Sequence, residues 1–214
     1  MNKLLIILLG LFSGTASASM GITGHLSVGQ TSAAKNRSST YSTILGTTTN
    51  VVSKDSDSAS TIFGADITFQ SPILLGIAFA VESNDYKFSN GSSSDHELGM
   101  FVIPRLEISI LMLDLWAGVG IGQIKTTFGD KSFSRSGAQI TLDNASVTGS
   151  ALSPRIGADV NLPGDLSIGV QLAYTTVKQY VSYTGTYFGQ SLTGSENFNR
   201  SWLSTSLRIG YSFL

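Results

Sequence analysis

The sequence predicts an all-β protein, an eight-stranded antiparallel up-and-down transmembrane β-barrel, from three observations. Apolar residues alternate with polar or small ones in segment after segment, and that period puts one kind of side chain on each face of a strand. The chain opens with an apolar run flanked like an export signal. Charged residues make up only 13% of it, against about 25% in an ordinary soluble domain.

Met1-Asn2-Lys3 is a short positive start, followed by the apolar run Leu4 to Phe12 and by Ser13-Gly14-Thr15-Ala16-Ser17-Ala18. These are the three regions of a secretory signal peptide, with Ala16 and Ala18 in the A-x-A cleavage pattern. Residues 1–18 are therefore expected to be removed, leaving residues 19–214 as one barrel domain. The run is too short to span a bilayer as a helix, which takes about 20 apolar residues. A buried N-terminal helix is disfavoured because no other stretch reads as its helical partner.

Eight strands are expected, each with its own phase. Gly21 to Gln30 sets Ile22, Leu26 and Val28 against His25 and Ser27. Thr61 to Gln70 sets Phe63, Ala65, Ile67 and Phe69 against Asp66, Thr68 and Gln70, before a turn at Ser71-Pro72. Ile73 to Asn84 sets Leu75, Ile77, Phe79 and Val81 against Gly76, Ala78, Ala80 and Glu82. His96 to Glu107 sets Leu98, Met100, Val102 and Leu106 against Glu97, Gly99, Phe101 and Arg105. From Ile108 to Leu113 the alternation gives way to a continuous apolar run that must contain a turn.

Leu113 to Lys125 sets Leu115, Ala117, Val119 and Ile121 against Asp114, Trp116, Gly118, Gly120 and Gly122. Leu152 to Leu162 sets Ile156, Ala158 and Val160 against Arg155, Gly157, Asp159 and Asn161. After the turn signal Pro163-Gly164-Asp165, Leu166 to Thr176 points Leu166, Ile168, Val170, Leu172 and Tyr174 outward. Ser201 to Phe213 does so with Leu203, Leu207, Ile209, Tyr211 and Phe213. Connections alternate between short turns and long polar loops, Thr31–Ser60, Asp85–Asp95, Thr126–Ser150 and Lys178–Arg200. Short periplasmic turns and longer extracellular loops are the pattern of bacterial outer-membrane barrels.

Closure follows from hydrogen bonding, since an open sheet edge in lipid leaves backbone groups without partners. A one-residue slip in the sixth strand would turn Arg155 and Asp159 toward lipid together. The competing soluble sandwich or lipocalin-like barrel inverts the faces. Its solvated face would then be rich in Gly, Ala and Ser, whereas soluble surfaces carry about 25–35% charged residues.

The export signal, the strand count, the strand Leu115-Trp116-Ala117-Gly118-Val119-Gly120-Ile121-Gly122 and the terminal Tyr211-x-Phe213 carry a resemblance. The chain resembles the small eight-stranded outer-membrane barrels, the OmpA-like, OmpX-like and opacity-type proteins, over its whole mature length. In that group a terminal aromatic is read by the barrel-assembly machinery. The resemblance therefore implies that machinery as a partner and Tyr211 and Phe213 as the assembly signal, here followed by Leu214.

The inward charges form the candidate site: His25, Asp66, Glu82, Glu97, Arg105, Asp114, Arg155, Asp159 and Arg208. An eight-stranded barrel is only wide enough for side chains to fill, and buried charges need partners, so an ion-pair network plugging the lumen is expected. Glu82, Glu97 and Arg155 fall toward the outside and Asp66, Arg105, Asp114, Asp159 and Arg208 toward the periplasm. Arg105 and Asp114 flank one turn, and Arg208 is expected near His25 on closure. Gly118-x-Gly120-x-Gly122 makes room for Trp116 and Phe101 rather than for a nucleotide, because no helix follows it.

The expected function is non-enzymatic display of four polar extracellular loops, in surface interaction, adhesion or envelope integrity. A narrow porin-like channel is the alternative, and a hydrolase acting on lipid A through His25 and Ser27 is a third reading that lacks any local motif. Asp55-x-Asp57 and Asn90-Gly91-Ser92-Ser93-Ser94-Asp95 lack the spacing of a complete Ca²⁺ loop. No cofactor, metal or catalytic set is expected. The expected partners are outer-membrane lipid and a host or envelope ligand at the loops. A formal net charge of -1 gives no reason to expect nucleic acid.

Overall fold

In a computed structural model, residues 21–32, 39–42, 48–51, 59–71, 74–86, 95–129, 132–135, 138–187 and 189–213 are described. Eight antiparallel strands form the wall: β1 (Gly21–Thr31), β2 (Thr61–Gln70), β3 (Leu75–Tyr86), β4 (Asp95–Ile110), β5 (Leu113–Thr127), β6 (Ser146–Leu162), β7 (Leu166–Tyr187) and β8 (Gln190–Ser212). Each pairs with its neighbour in sequence, and β1 pairs with β8 from Thr23↔Ser212 to Thr31↔Ser204, so the sheet closes on itself. The fold is an eight-stranded up-and-down barrel.

The faces fall as the alternation requires. Leu26, Phe63, Phe79, Met100, Ile121, Ile156, Leu207 and Ile209 are exposed on the outer wall. His25, Glu97, Arg105, Trp116, Arg155, Asp159, Trp202 and Arg208 are buried inside. An outer wall of exposed Leu, Ile, Val and Phe is the reverse of a soluble barrel and matches a band bathed in hydrocarbon. Small residues make the narrow interior feasible: a Cβ on Gly120 would sit 3.3 Å from Phe101, from the Arg155 Nε and from Ser153.

Two prolines mark the wall. Pro104 pairs with Ile77 on one side, but the β4–β5 ladder skips from Val102↔Ile121 to Arg105↔Gly118 on the other. Pro154 pairs with Val119, while the β6–β7 ladder skips from Leu152↔Thr176 to Arg155↔Ala173. Proline has no N–H to give a ladder. On the outer face nearby, Leu106, Ala117, Val119, Ile156 and Tyr174 line an apolar groove of about 730 Å³.

The long connections hold more strand than the alternation suggests. β7 and β8 continue as one ribbon to Tyr187↔Gln190, so the expected loop 178–200 is a hairpin. Strand Ala138–Leu142 pairs with its β7 edge, and Ser132–Arg135 pairs with Ala138–Leu142 in turn. A separate ladder joins Ser39–Ser42 to Thr48–Val51. The expected strand boundaries also shift: β3 begins at Leu75, β4 runs on to Ile110, and β6 begins at Ser146. The expected signal peptide, Ile73, Asp55-x-Asp57, residues 90–94 and Leu214 lie outside the described residues.

The face assignment can be tested by Ile156→Arg, which places a cation at mid-wall. The expected loss is about 2–4 kcal/mol, read from urea unfolding in lipid vesicles. Gly120→Phe is expected to destabilise the barrel by crowding Phe101 and Arg155, read as a lower temperature for loss of the compact, fast-migrating gel band.

Candidate functional site: the charged lumen

Period two brings the inward charges onto one surface, and barrel curvature decides which of them meet. Asp66 lies at the centre. It faces His25 directly across the β1–β2 ladder, and its Oδ1 lies 3.0 Å from His25 Nδ1. Thr68 donates to the same oxygen at 3.1 Å. Arg208 reaches Asp66 from β8 with Nη2 3.2 and 3.1 Å from its two oxygens. His25 and Arg208 are thus brought together through a shared carboxylate; in the ladder itself His25 lies opposite Gly210 and Arg208 opposite Ser27.

Arg208 also lies 3.6 Å from Asp159, and its guanidinium stands 4.8 Å from the centre of the Trp116 ring. Trp116 Nε1 donates to Asp159 at 2.9 Å. Arg105 stands 5.1 Å from the same ring. Two cations near one indole, with a carboxylate accepting its N–H, hold the ring by its quadrupole and its polar edge at once.

Arg105 and Asp114, which flank one turn, have separate partners. Arg105 salt-bridges Glu107, two residues along its own strand, at 2.6 Å, while Asp114 Oδ2 accepts from Asn161 at 2.6 Å. Residues i and i+2 of a strand share a face and lie within reach of a long side chain. Gln70 also donates to Glu107. One site residue missed in the sequence is therefore Glu107, whose phase matched Arg105 but which adjoins the apolar run 108–113.

Toward the loop end, Arg155 forms a two-pronged bond to Glu82, with Nη2 3.0 Å from Oε2. It lies 4.6 Å from the centre of Phe101 and donates through Nε to Ser153 at 3.1 Å. Glu97, 1% exposed, pairs with Arg200 and accepts from Asn84 at 3.2 Å and Thr126 at 3.1 Å. Arg200 was expected in a loop, yet its phase relative to Trp202, Ser204, Ser206 and Arg208 already put it inside. Farther toward the loop end, Phe128, Leu142, Val147, Val181 and Tyr183 are also buried.

The opposite end is more open. A mostly polar cavity of about 300 Å³ has His25, Gln70, Arg105, Glu107, Asp114, Asp159, Asn161 and Asp165 in its lining. No group of three or more His, Asp or Glu among the described residues is arranged to hold a metal ion. Asp95 lies at the loop end, where it accepts from the Gly129 N–H at 2.9 Å. His25 is buried on the face of β1 turned away from the outer wall. Tyr211 and Phe213 stand on that wall with ring centres 5.1 Å apart, edge to face, and the Phe213 N–H bonds Ile22 across the seam.

Removing Arg208 leaves Asp66 and Asp159 short of a cation inside the barrel. Arg208→Met is expected to cost about 3–5 kcal/mol, the range for breaking one side of a buried pair. Adding Asp66→Asn is expected to recover part of that loss in a urea-unfolding double-mutant cycle.

No protein-family model and no curated protein sequence matches the chain. Solved structures do. The outer membrane protein OprG from Pseudomonas aeruginosa superposes over 92% of this chain and 97% of its own, with a TM-score of 0.65 at 12% identity. Neisserial surface protein A covers 88% and 96%, with a TM-score of 0.48 at 10% identity. The outer membrane protein AlkL, solved in lipid bilayers, covers 89% and 90%, with a TM-score of 0.43 at 16% identity. At 12% identity the OprG likeness carries the fold, and the fold is that of a small outer-membrane barrel.

Proposed function

We propose that this chain is a non-enzymatic protein of the Gram-negative outer membrane that works through its loop end, as a surface interaction, adhesion or envelope-integrity barrel. The observation that carries the reading is a filled lumen beneath extended strands. The pairs Arg208–Asp66, Arg155–Glu82 and Arg200–Glu97 cross the interior in succession, and buried Phe128, Leu142, Val147, Val181 and Tyr183 follow toward the loop end. β7 and β8 meanwhile run on past the apolar band: Tyr174 ends the outward apolar row of β7, and Thr176 and Lys178 follow it. A chain that blocks its bore and prolongs its strands beyond the bilayer invests in that end.

In this reading residues 1–18 direct export, and Tyr211 and Phe213 form the signal taken up by the assembly machinery. Their exposure on the outer wall beside the β1–β8 seam supports that role, because both rings stay accessible when the first and last strands pair. Outer-membrane lipid surrounds the wall, and a host or envelope ligand meets the loops. Deletion of Gly46–Ser56 is expected to leave folding intact while reducing binding of expressing cells to that ligand. Wild-type binding by cells whose barrel lacks all four loops would overturn the display reading.

A narrow channel is the second reading, favoured by the polar cavity at the short-turn end. Planar-bilayer recording separates the two. The ion-paired lumen is expected to be silent, and steady unitary openings would establish the channel instead.

A further inference from the structure

The three short turns differ in chemistry. The β6–β7 turn, Pro163-Gly164-Asp165, carries a charge and uses Gly164 at φ 84° and Asp165 at φ 63°, residues that tolerate the left-handed region. The β4–β5 turn instead holds Leu111 at φ 56°, and the β2–β3 turn holds Leu74 at φ 59°. A leucine there crowds its Cβ against backbone, and glycine would relieve it. Both leucines are exposed, Leu111 by 98%, beside exposed Ile110 and Met112.

This apolar tip is continuous with the band on the barrel wall. On β4 the outward row runs from Leu98 through Met100, Val102, Leu106 and Ile108 to Ile110, crosses Leu111 and Met112, and returns along β5 through Leu115. No charged residue occurs between Glu107 and Asp114. On β7 the corresponding row begins only after Asp165. Two of the carbonyls at these turns have partners: Met112 C=O accepts from the Asn161 N–H at 2.7 Å, and Leu74 C=O from the Glu107 N–H at 3.0 Å. A backbone carbonyl entering lipid needs such a partner.

We propose that the β4–β5 turn, with Leu74 beside it, is a lip embedded in the leaflet on the short-turn side, while the β6–β7 turn stands in water. The occupant of this apolar surface is bilayer lipid, because the surface prolongs the lipid-facing band without a polar break. Leu111 and Leu74 accept that backbone cost and place two large apolar side chains at the rim, where glycine would have served the turn alone.

The chain has no cysteine, so single nitroxide labels can be placed on the full-length protein at Leu111→Cys, Pro163→Cys and, on mid-wall, Ile156→Cys. In phosphatidylcholine vesicles, spectroscopic accessibility is compared for molecular oxygen, which concentrates in lipid, and a water-soluble nickel complex. The expected result is a shift toward oxygen at 111 and 156 and toward nickel at 163. Equal nickel access at 111 and 163, with 156 still shielded, would overturn the lip and leave the spanning barrel standing. Nickel access at 156 as well would overturn the membrane-spanning orientation itself. Exclusion of both reagents at 111 would overturn lipid as the occupant in favour of a second copy or another protein.

Discussion

The hydrogen-bonded seam between β1 and β8 is the constraint on which the rest depends. Once Thr23 faces Ser212 and Thr31 faces Ser204, no lateral sheet edge remains for lipid to solvate. The same closure limits the interior to what eight strands enclose. Every inward side chain must then either fill that space or pair within it. Glycines facing Phe101 and Trp116, the apolar cluster of Ala78, Ala80, Phe101, Ile103 and Ile124, and the ion pairs are consequences of one closed and narrow cylinder.

Within it, charge is arranged around shared groups rather than isolated pairs. Asp66 accepts from Thr68 and Arg208 and contacts His25, while Asp159 lies near Arg208 and accepts from Trp116. These residues come from β1, β2, β5, β6 and β8, so the cluster joins distant parts of the wall across the bore. A buried cation is held best when several acceptors and an aromatic face surround it. Such a hub ties strands on different sides of the bore to one another at one level.

The two ends of the cylinder are consequently unlike. Toward the loop end lie the Arg200–Glu97 pair and buried Phe128, Leu142, Val147, Val181 and Tyr183, with the β7–β8 ribbon running on to Tyr187↔Gln190. The short-turn end keeps a polar cavity and an uneven rim, apolar at Leu74, Leu111 and Met112 and charged at Asp165. Polar contacts in the bore, strain in the turns and strand extension beyond the apolar band all contribute to this asymmetry.

Where the two faces of a strand meet different surroundings, the sequence alone determined the answer. The outward rows Leu75-Ile77-Phe79-Val81 and Ile156-Ala158-Val160, set against Arg155 and Asp159, establish strand, phase and side because lipid and lumen select opposite chemistries. Beyond the lipid that contrast disappears. Tyr180, Ser182, Thr184 and Thr186 form the outward row of the β7 ribbon, one tyrosine and three hydroxyl side chains, so their alternation carries little apolar signal, and the ribbon together with Arg200 reads as loop. The pairing of charges was likewise decided only by tertiary structure. Arg105 had Glu107 on its own strand and Asp114 across a turn, and Arg208 could have met His25 alone. Arg105 takes the carboxylate two residues along its own strand, whereas strand tilt and barrel curvature set the distances that bring Arg208 and His25 to one Asp66, and neither quantity is encoded in a period of two.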